Sequence, residues 1–264
     1  MNTQSAENQS SGTSQRAALV TGGAKRLGEA MARALGDAGF NVAIHYNTSA
    51  DAAQALAQDI SKKGVIAEPV EADLTKPDEV ETLISRARDA VGPLRLLVNS
   101  ASLFENDDIK TLTRESWDDH IGANLWAPLK LTQNFAAQAD ENIDYLVINL
   151  IDQRVLKLTP QFLSYTTSKA ALYTLTQTLA QALGPQGIRV NGIGPGPTLK
   201  NKRQSDDDWA KQNAATVLGR GATPADIVSA LMYLLNAPAV TGQMIAVDGG
   251  QHLAWQTPDV LVNE

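Results

Sequence analysis

Short apolar runs alternate with longer amphipathic stretches along most of the chain, and that alternation predicts the elements. Arg16–Val20 reads as a strand. The turn TGGAKRLG follows, then an Ala/Leu/Met-rich helix to Ala38, with Gly39 as its stop. Phe40–Tyr46 is a second strand, and residues 47–63 are helical up to Gly64. Residues 65–74 supply a third strand despite Pro69, and Pro77 opens a helix, because proline is tolerated in a first turn. A fourth strand covers Leu94–Val98, and one long helix is expected over Glu115–Gln138. Asp144–Leu150 is a strand. Gln161–Leu183 is helical, with Leu172, Leu175, Leu179 and Leu183 on one stripe. Ile188–Asn191, Pro224–Leu235 and Gln243–Val247 read as strand, helix and strand. Between them, residues 197–219 read as a mobile lid, in which Lys200, Lys202 and Arg203 could meet an anionic substrate tail or simply face water.

Strands alternating with helices predict an α/β fold: a single doubly wound parallel sheet of Rossmann type with helices on both faces. No repeat or composition break divides the chain, so residues 16–264 are expected to form one domain. Residues 1–15 are polar and nearly uncharged, and are expected to be a disordered tail. Right-handed crossovers place all strand C-terminal ends on one rim, where ligands of such sheets bind.

Composition narrows the function classes. The 264 residues are 43% hydrophobic and 19% charged, which is globular. Lys plus Arg number 22 against 29 Asp plus Glu, and the net charge of -7 argues against a nucleic-acid backbone as partner. Cysteine is absent, which excludes disulfides, thiolate nucleophiles and iron–sulfur clusters. No apolar run is long enough to span a membrane and the first residues are not a secretory signal, so a cytoplasmic protein is expected. His45, His120 and His252 are far apart and show no metal-ligand spacing, so no metal is expected.

Candidate chemistry begins at Thr21, Gly22 and Gly28, which stand between the first strand and the first helix. Small residues there let the backbone approach a pyrophosphate, and the helix N-terminus offers free N–H groups. The same pattern also describes a bare tight turn. After the second strand the chain reads His45, Tyr46, Asn47, Thr48 and Ser49, with no acid before Asp51. A carboxylate there would hold ribose hydroxyls and repel a 2′-phosphate. Hydroxyls at Thr48 and Ser49, with Lys25 or Arg26 in the turn, favour NADPH over NADH. Thr48 and Ser49 equally suit the start of a helix. Tyr165 and Lys169, four apart in the predicted helix, share one face, and an ammonium near a phenol should bring its pKa toward working pH. An amphipathic helix with one aromatic contact fits the pentapeptide as well.

The chain from Ala17 to Gly250 resembles the short-chain dehydrogenase/reductase family. The resemblance rests on Thr21–Gly22, Asp73–Leu74, Asn99–Ser100–Ala101, Asn124, Tyr165 with Lys169, Arg189–Thr198 and Val240–Gly250. It departs where most members carry a third turn glycine, here Arg26, and a serine thirteen residues before the tyrosine, here Asp152. With Phe104, these departures resemble the pteridine reductase branch. The resemblance implies a homotetramer that binds NADPH through Gly22, Lys25, Arg26, Leu27, Gly28, His45, Asn47, Thr48, Ser49, Asp73, Leu74, Asn99, Ser100, Ala101, Lys169, Pro195 and Gly196. It implies catalysis by Tyr165, Lys169, Asp152 and Asn124, and a pterin held by Arg26, Ser102, Phe104, Asp152 and Tyr165. Pterin nitrogens can donate to a carboxylate and accept from an acid, which suits Asp152; a buried structural carboxylate is the plain alternative. An NADPH-dependent ketoreductase and a non-catalytic dinucleotide-binding regulator are the rival readings. Residues 105–115 offer no recognisable substrate residue.

Overall fold

The computed structural model describes residues 16–140, 143–201 and 203–255. The predicted tail over 1–15, Lys202 and the end of the domain after 255 lie outside them. The strands are β1 (Ala17–Val20), β2 (Asn41–Tyr46), β3 (Ala67–Glu71), β4 (Leu94–Asn99), β5 (Tyr145–Leu150), β6 (Ile188–Pro195) and β7 (Met244–Val247). They form one sheet in the order β3-β2-β1-β4-β5-β6-β7, every pair parallel. The central strands are apolar throughout because both faces are covered. On one face, α1 (Arg26–Asp37), α2 (Ala50–Ser61) and α8 (Pro224–Leu235) bury Met31, Leu35, Ile60, Ile227 and Leu231. On the other, α3 (Pro77–Val91), α5 (Ala127–Ala136) and α6 (Leu163–Leu183) bury Leu83, Leu131, Phe135 and Ala180. The order reverses between β1 and β4, which opens a crevice beyond their C-terminal ends.

Two predicted elements differ. The long helix over Glu115–Gln138 is α4 (Arg114–Ile121), a π-helical turn at Gly122–Trp126, and α5. Pro128 has no N–H to give the carbonyl of Asn124, and its ring would crowd that carbonyl in a regular α-helix; the widened turn relieves both. Within the expected lid, α7 (Asp206–Ala214) is a helix, capped by Ser205 Oγ accepting from Asp208 N. Its first turn holds Asp206, Asp207 and Asp208, which suit a helix N-terminus. No helix of the described residues is long and apolar enough to cross a membrane.

Candidate active site

The β1–α1 turn is built on two close approaches. Gly22 has φ +60, and an added Cβ would lie 2.9 Å from Ala101 Cα. At Gly28 a Cβ would lie 2.1 Å from the Gly22 carbonyl oxygen. Both positions therefore exclude larger residues, and the first turn of α1 stays open on its N–H side. Thr21 Oγ1 accepts from Ser100 N and Ala101 N at 2.9 and 3.0 Å, which joins the turn to the segment after β4. His45 lies beneath the turn and is buried. Gly22 N donates to its Nδ1 at 2.9 Å and its Nε2 faces the Ala72 carbonyl at 3.0 Å. His45 thus supports the glycine backbone of the turn from below. Burial lowers its pKa to about 4.

Arg26 occupies the position of the missing glycine with φ 56, inside the left-handed region. That backbone explains why a glycine suits the position, and it costs a non-glycine residue on the order of 1–2 kcal/mol. The guanidinium donates to Leu199 O and Lys200 O, so the turn touches the segment after β6. Lys25, Asn47 and Thr48 are exposed and Ser49 is half-buried. Ser49 stands at the N-cap of α2 without a side-chain capping bond. Leu27 packs against the core below α1, and Leu74 is buried under α3. The Asp73 carboxylate accepts from Thr75 N and Oγ1, and those bonds hold its pKa below the usual range. Asn99 Nδ2 donates to Asn149 Oδ1 inside the sheet. Pro195 and Gly196 end β6, where a Gly196 Cβ would meet Asp248 Cβ at 2.5 Å.

The chemistry gathers where α6 crosses the rim. Tyr165 is buried and its hydroxyl donates to Asp152 Oδ2 at 2.8 Å; Oδ1 accepts from Arg154 N at 2.8 Å. Lys169 Nζ is buried, donates to Leu150 O at 2.8 Å, and sits 5.8 Å from the Tyr165 ring centroid. The expected lowering of the phenol by Lys169 is overturned. Burial, and then the neighbouring Asp152 carboxylate, push Tyr165 well above its ordinary value. Burial lowers Lys169 to about 8, against the pull of Asp152. Burial also raises Asp152. The phenol therefore keeps its proton, as a donor must.

Asn124 sits at the centre of the π-helical turn and turns its amide on one backbone unit. Leu103 N donates to Oδ1 at 2.8 Å, and Nδ2 donates to Leu103 O at 2.9 Å and to Ser168 Oγ at 3.2 Å. It positions the segment carrying Ser102, exposed at the rim, and Phe104. The Phe104 ring meets Tyr165 edge-on at 4.7 Å and stacks on Phe162 at 4.5 Å. Phe162 has φ 57 and ψ 50, an uncommon backbone for an aromatic residue. Arg154 lies over Phe162 at 5.0 Å and Arg203 over Phe104 at 5.7 Å. Arg203 also donates to Phe104 O and pairs with Glu105. Among the described residues no group of His, Cys, Asp or Glu could hold a metal ion.

A family model described as Enoyl-(Acyl carrier protein) reductase matches residues 22–252. The chain belongs to the short-chain dehydrogenase/reductase family. Within that family, 3-oxoacyl-(acyl-carrier-protein) reductase FabG of Staphylococcus epidermidis is 31% identical over 242 residues, 90% of this chain and 99% of that protein. FolM Alternative dihydrofolate reductase 1 from Brucella suis, solved in complex with NADP, is 47% identical with a TM-score of 0.89. The match covers 92% of this chain and 98% of FolM. The angucycline C-6 ketoreductase LanV with bound NADP is 30% identical with a TM-score of 0.83, over 90% of this chain and 96% of that one. In this member of the family, the residues that sequence reading passed over are Phe162, Arg154 and the Asp107–His120 pair. Nothing local in the sequence marks a left-handed phenylalanine. Residues 105–115 lacked a motif because Asp107 acts on α6, 57 positions away.

Proposed function

We propose that the protein reduces a C=N bond of a dihydropterin or dihydrofolate-like substrate with NADPH. The observation that carries this reading is the Asp152 carboxylate hydrogen-bonded to Tyr165 with the Phe104 ring at the edge of that phenol. A flat heterocycle with ring N–H and amino donors can use the carboxylate, and an aromatic ring can stack on it. A ketone gains little from either and meets a carboxylate where its oxygen develops charge. The 47% identity with the FolM dihydrofolate reductase supports the same substrate class.

The residues present fit the dinucleotide, because the close backbone approaches at Gly22 and Gly28 exclude any Cβ and keep a small-residue turn at the N-terminus of α1, where a pyrophosphate can approach free N–H groups. Lys25, Arg26, Leu27 and Gly28 would hold its pyrophosphate end, Arg26, Thr48 and Ser49 its 2′-phosphate, and Lys169 its nicotinamide ribose. Asp73, Leu74, Asn99, Ser100, Ala101, Pro195 and Gly196 would line the rest of the rim. When bound, NADPH supplies the hydride. Tyr165 gives its hydroxyl proton to the ring nitrogen of the C=N bond, leaving C–H and N–H where the double bond was. In the free site that hydroxyl donates to Asp152 Oδ2 at 2.8 Å, and it turns from there to the ring nitrogen as Asp152 accepts from substrate N–H groups instead. Lys169 holds positive charge beside the phenol as it loses its proton. Asn124 keeps the Phe104 segment on the rim, and Ser102, whose hydroxyl lies beside Tyr165, would meet the substrate.

Exposed Trp126, Tyr233 and Trp255 support self-association, and a cytoplasmic homotetramer is part of the same reading. NADPH oxidation across dihydrofolate, dihydrobiopterin, dihydromonapterin, quinonoid pterins and several ketones tests it. Turnover confined to ketones would assign the ketoreductase reading, and binding of NADPH with no turnover the regulatory one.

A further inference from the structure

Outside the Tyr165–Lys169–Asp152 group, the described residues bury a second polar cluster. Asp107 is 2% exposed and His120 and Ser164 are 0% exposed, and the His120 ring meets the Tyr165 ring edge-on at 6.3 Å. The composition is that of a Ser–His–Asp hydrolase, but the wiring excludes that chemistry. Ser164 Oγ donates to Asp107 Oδ2 and lies 2.9 Å from His120 Nδ1. Glu105 N donates to His120 Nε2 at 3.2 Å, so the ring proton is on Nδ1, which donates to Ser116 O at 2.8 Å. No general base stands ready and no solvent reaches the serine.

The cluster joins two chain segments. Phe162 heads α6 in a left-handed conformation and offers no side-chain cap. Asp107 supplies the cap from the other segment. Its backbone carbonyl accepts from Phe162 N at 2.7 Å, and its Oδ1 accepts from Ser164 N at 3.1 Å. A carboxylate there is favoured by the free N–H groups and partial positive charge of the helix start. Burial favours the neutral acid, but bonds from Ser164 and Ser116 outweigh it and hold the Asp107 carboxyl below its usual range. His120, on α4, fastens the other end of the segment at Glu105 N, directly after Phe104. Tyr165 directly follows the Ser164 that Asp107 binds.

We propose that Asp107 and His120 are positioning residues for the reduction: they lock the Phe104–Asp107 segment onto the first turn of α6, and so fix the stacking ring relative to the Tyr165 hydroxyl. The proposal rests on the pterin-reductase reading. A substrate that stacks on Phe104 then meets the acid at a set distance, and loosening the brace weakens stacking before it touches the dinucleotide side.

The test is a double-mutant cycle between Asp107→Asn and Phe104→Ala, read as KM and kcat for dihydrofolate with saturating NADPH, with NADPH affinity measured separately. Asp107→Asn is expected to raise KM about tenfold while NADPH affinity stays within about twofold, and to have under about a twofold effect on KM in the Phe104→Ala background. A merely structural role would lower the melting temperature and act equally in both backgrounds, and equal effects overturn the proposal while leaving the reaction assignment intact. If Asp107→Asn does not fold, Ser116→Ala removes one bond to the same carboxylate and carries the cycle with a smaller expected KM effect. A parent that does not oxidise NADPH with any dihydropterin overturns the reaction assignment, and the positioning role with it.

Discussion

The Tyr165 hydroxyl donates to Asp152 Oδ2 across 2.8 Å, so the acid of this site is bonded to a carboxylate where most of its relatives are expected to place a serine. That bond and burial keep the phenol protonated. Removing the hydroxyl should remove the proton donor and spare the dinucleotide rim. Tyr165→Phe is expected to lower kcat by about 10²–10⁴-fold, with NADPH affinity nearly unchanged. Burial lowers the Lys169 ammonium to about 8. It is charged below that value and neutral above it, so turnover should fall as pH rises through about 8. Lys169→Met should abolish that limb and lower kcat. A profile flat to pH 10, or near-parental kcat in Tyr165→Phe, contradicts this assignment.

Arg26 separates backbone strain from binding. Its φ of 56 favours glycine, while its guanidinium bridges to Leu199 O and Lys200 O. Arg26→Gly and Arg26→Ala both delete the guanidinium, but only glycine relieves the backbone. Arg26→Gly should melt higher than Arg26→Ala, by a difference on the order of 1 kcal/mol. Both should weaken NADPH roughly tenfold, the worth of one charge-assisted hydrogen bond, and NADH less. Thermal melts and titrations of both cofactors check the two halves separately, and equal melting of the two variants contradicts the strain.

His45 ties acid stability to the glycine turn. Its folded pKa of about 4 lies below the ordinary value of 6.5 because burial disfavours the charged ring. The unfolded chain therefore binds more protons between those values. Stability from this group is fully present above 6.5 and is lost as pH falls toward 4. Between pH 7 and 5 the parent should lose about 2 kcal/mol more than His45→Gln, at about 1.4 kcal/mol per pH unit below the unfolded pKa. Urea unfolding of both proteins at the two pH values measures it, and equal losses would mean the ring is not held neutral.

The sheet order and the helices that cover it follow from apolar runs such as Leu94–Val98 and the leucine stripe of α6, because burial on two faces leaves a plain periodic trace. The turn after β1 was legible for the same kind of reason: only small residues fit at Gly22 and Gly28. Three features were hidden by different physics. The π-helical turn around Asn124 had a signal in Pro128, which a periodicity reading of Glu115–Gln138 overran. The helix α7 has no buried residue, so no apolar stripe announced it, and its acidic start at Asp206–Asp208 fits a helix N-terminus and a solvated turn alike. Phe162 and Asp107 act through a backbone conformation and a contact across 57 positions, neither of which a single sequence displays. Tyr165 is raised where the YxxxK spacing suggested a lowering, because burial and Asp152 outweigh Arg154 and Ser102, and burial of a helix face is not written in that motif.

The proposed substrate class rests on Asp152 and Phe104 together. The measurement is kcat/KM with NADPH for a dihydropterin and for a small ketone, in the parent, Phe104→Ala and Asp152→Ser. The parent should prefer the dihydropterin. Phe104→Ala should raise the dihydropterin KM more than the ketone KM, with the loss of stacking worth roughly 0.5–1.5 kcal/mol beyond area burial. Asp152→Ser should lower dihydropterin turnover and raise ketone turnover, because a hydroxyl donor replaces the carboxylate beside the developing oxyanion. A parent that prefers the ketone, or an Asp152→Ser protein with unchanged dihydropterin turnover, would contradict pteridine reduction.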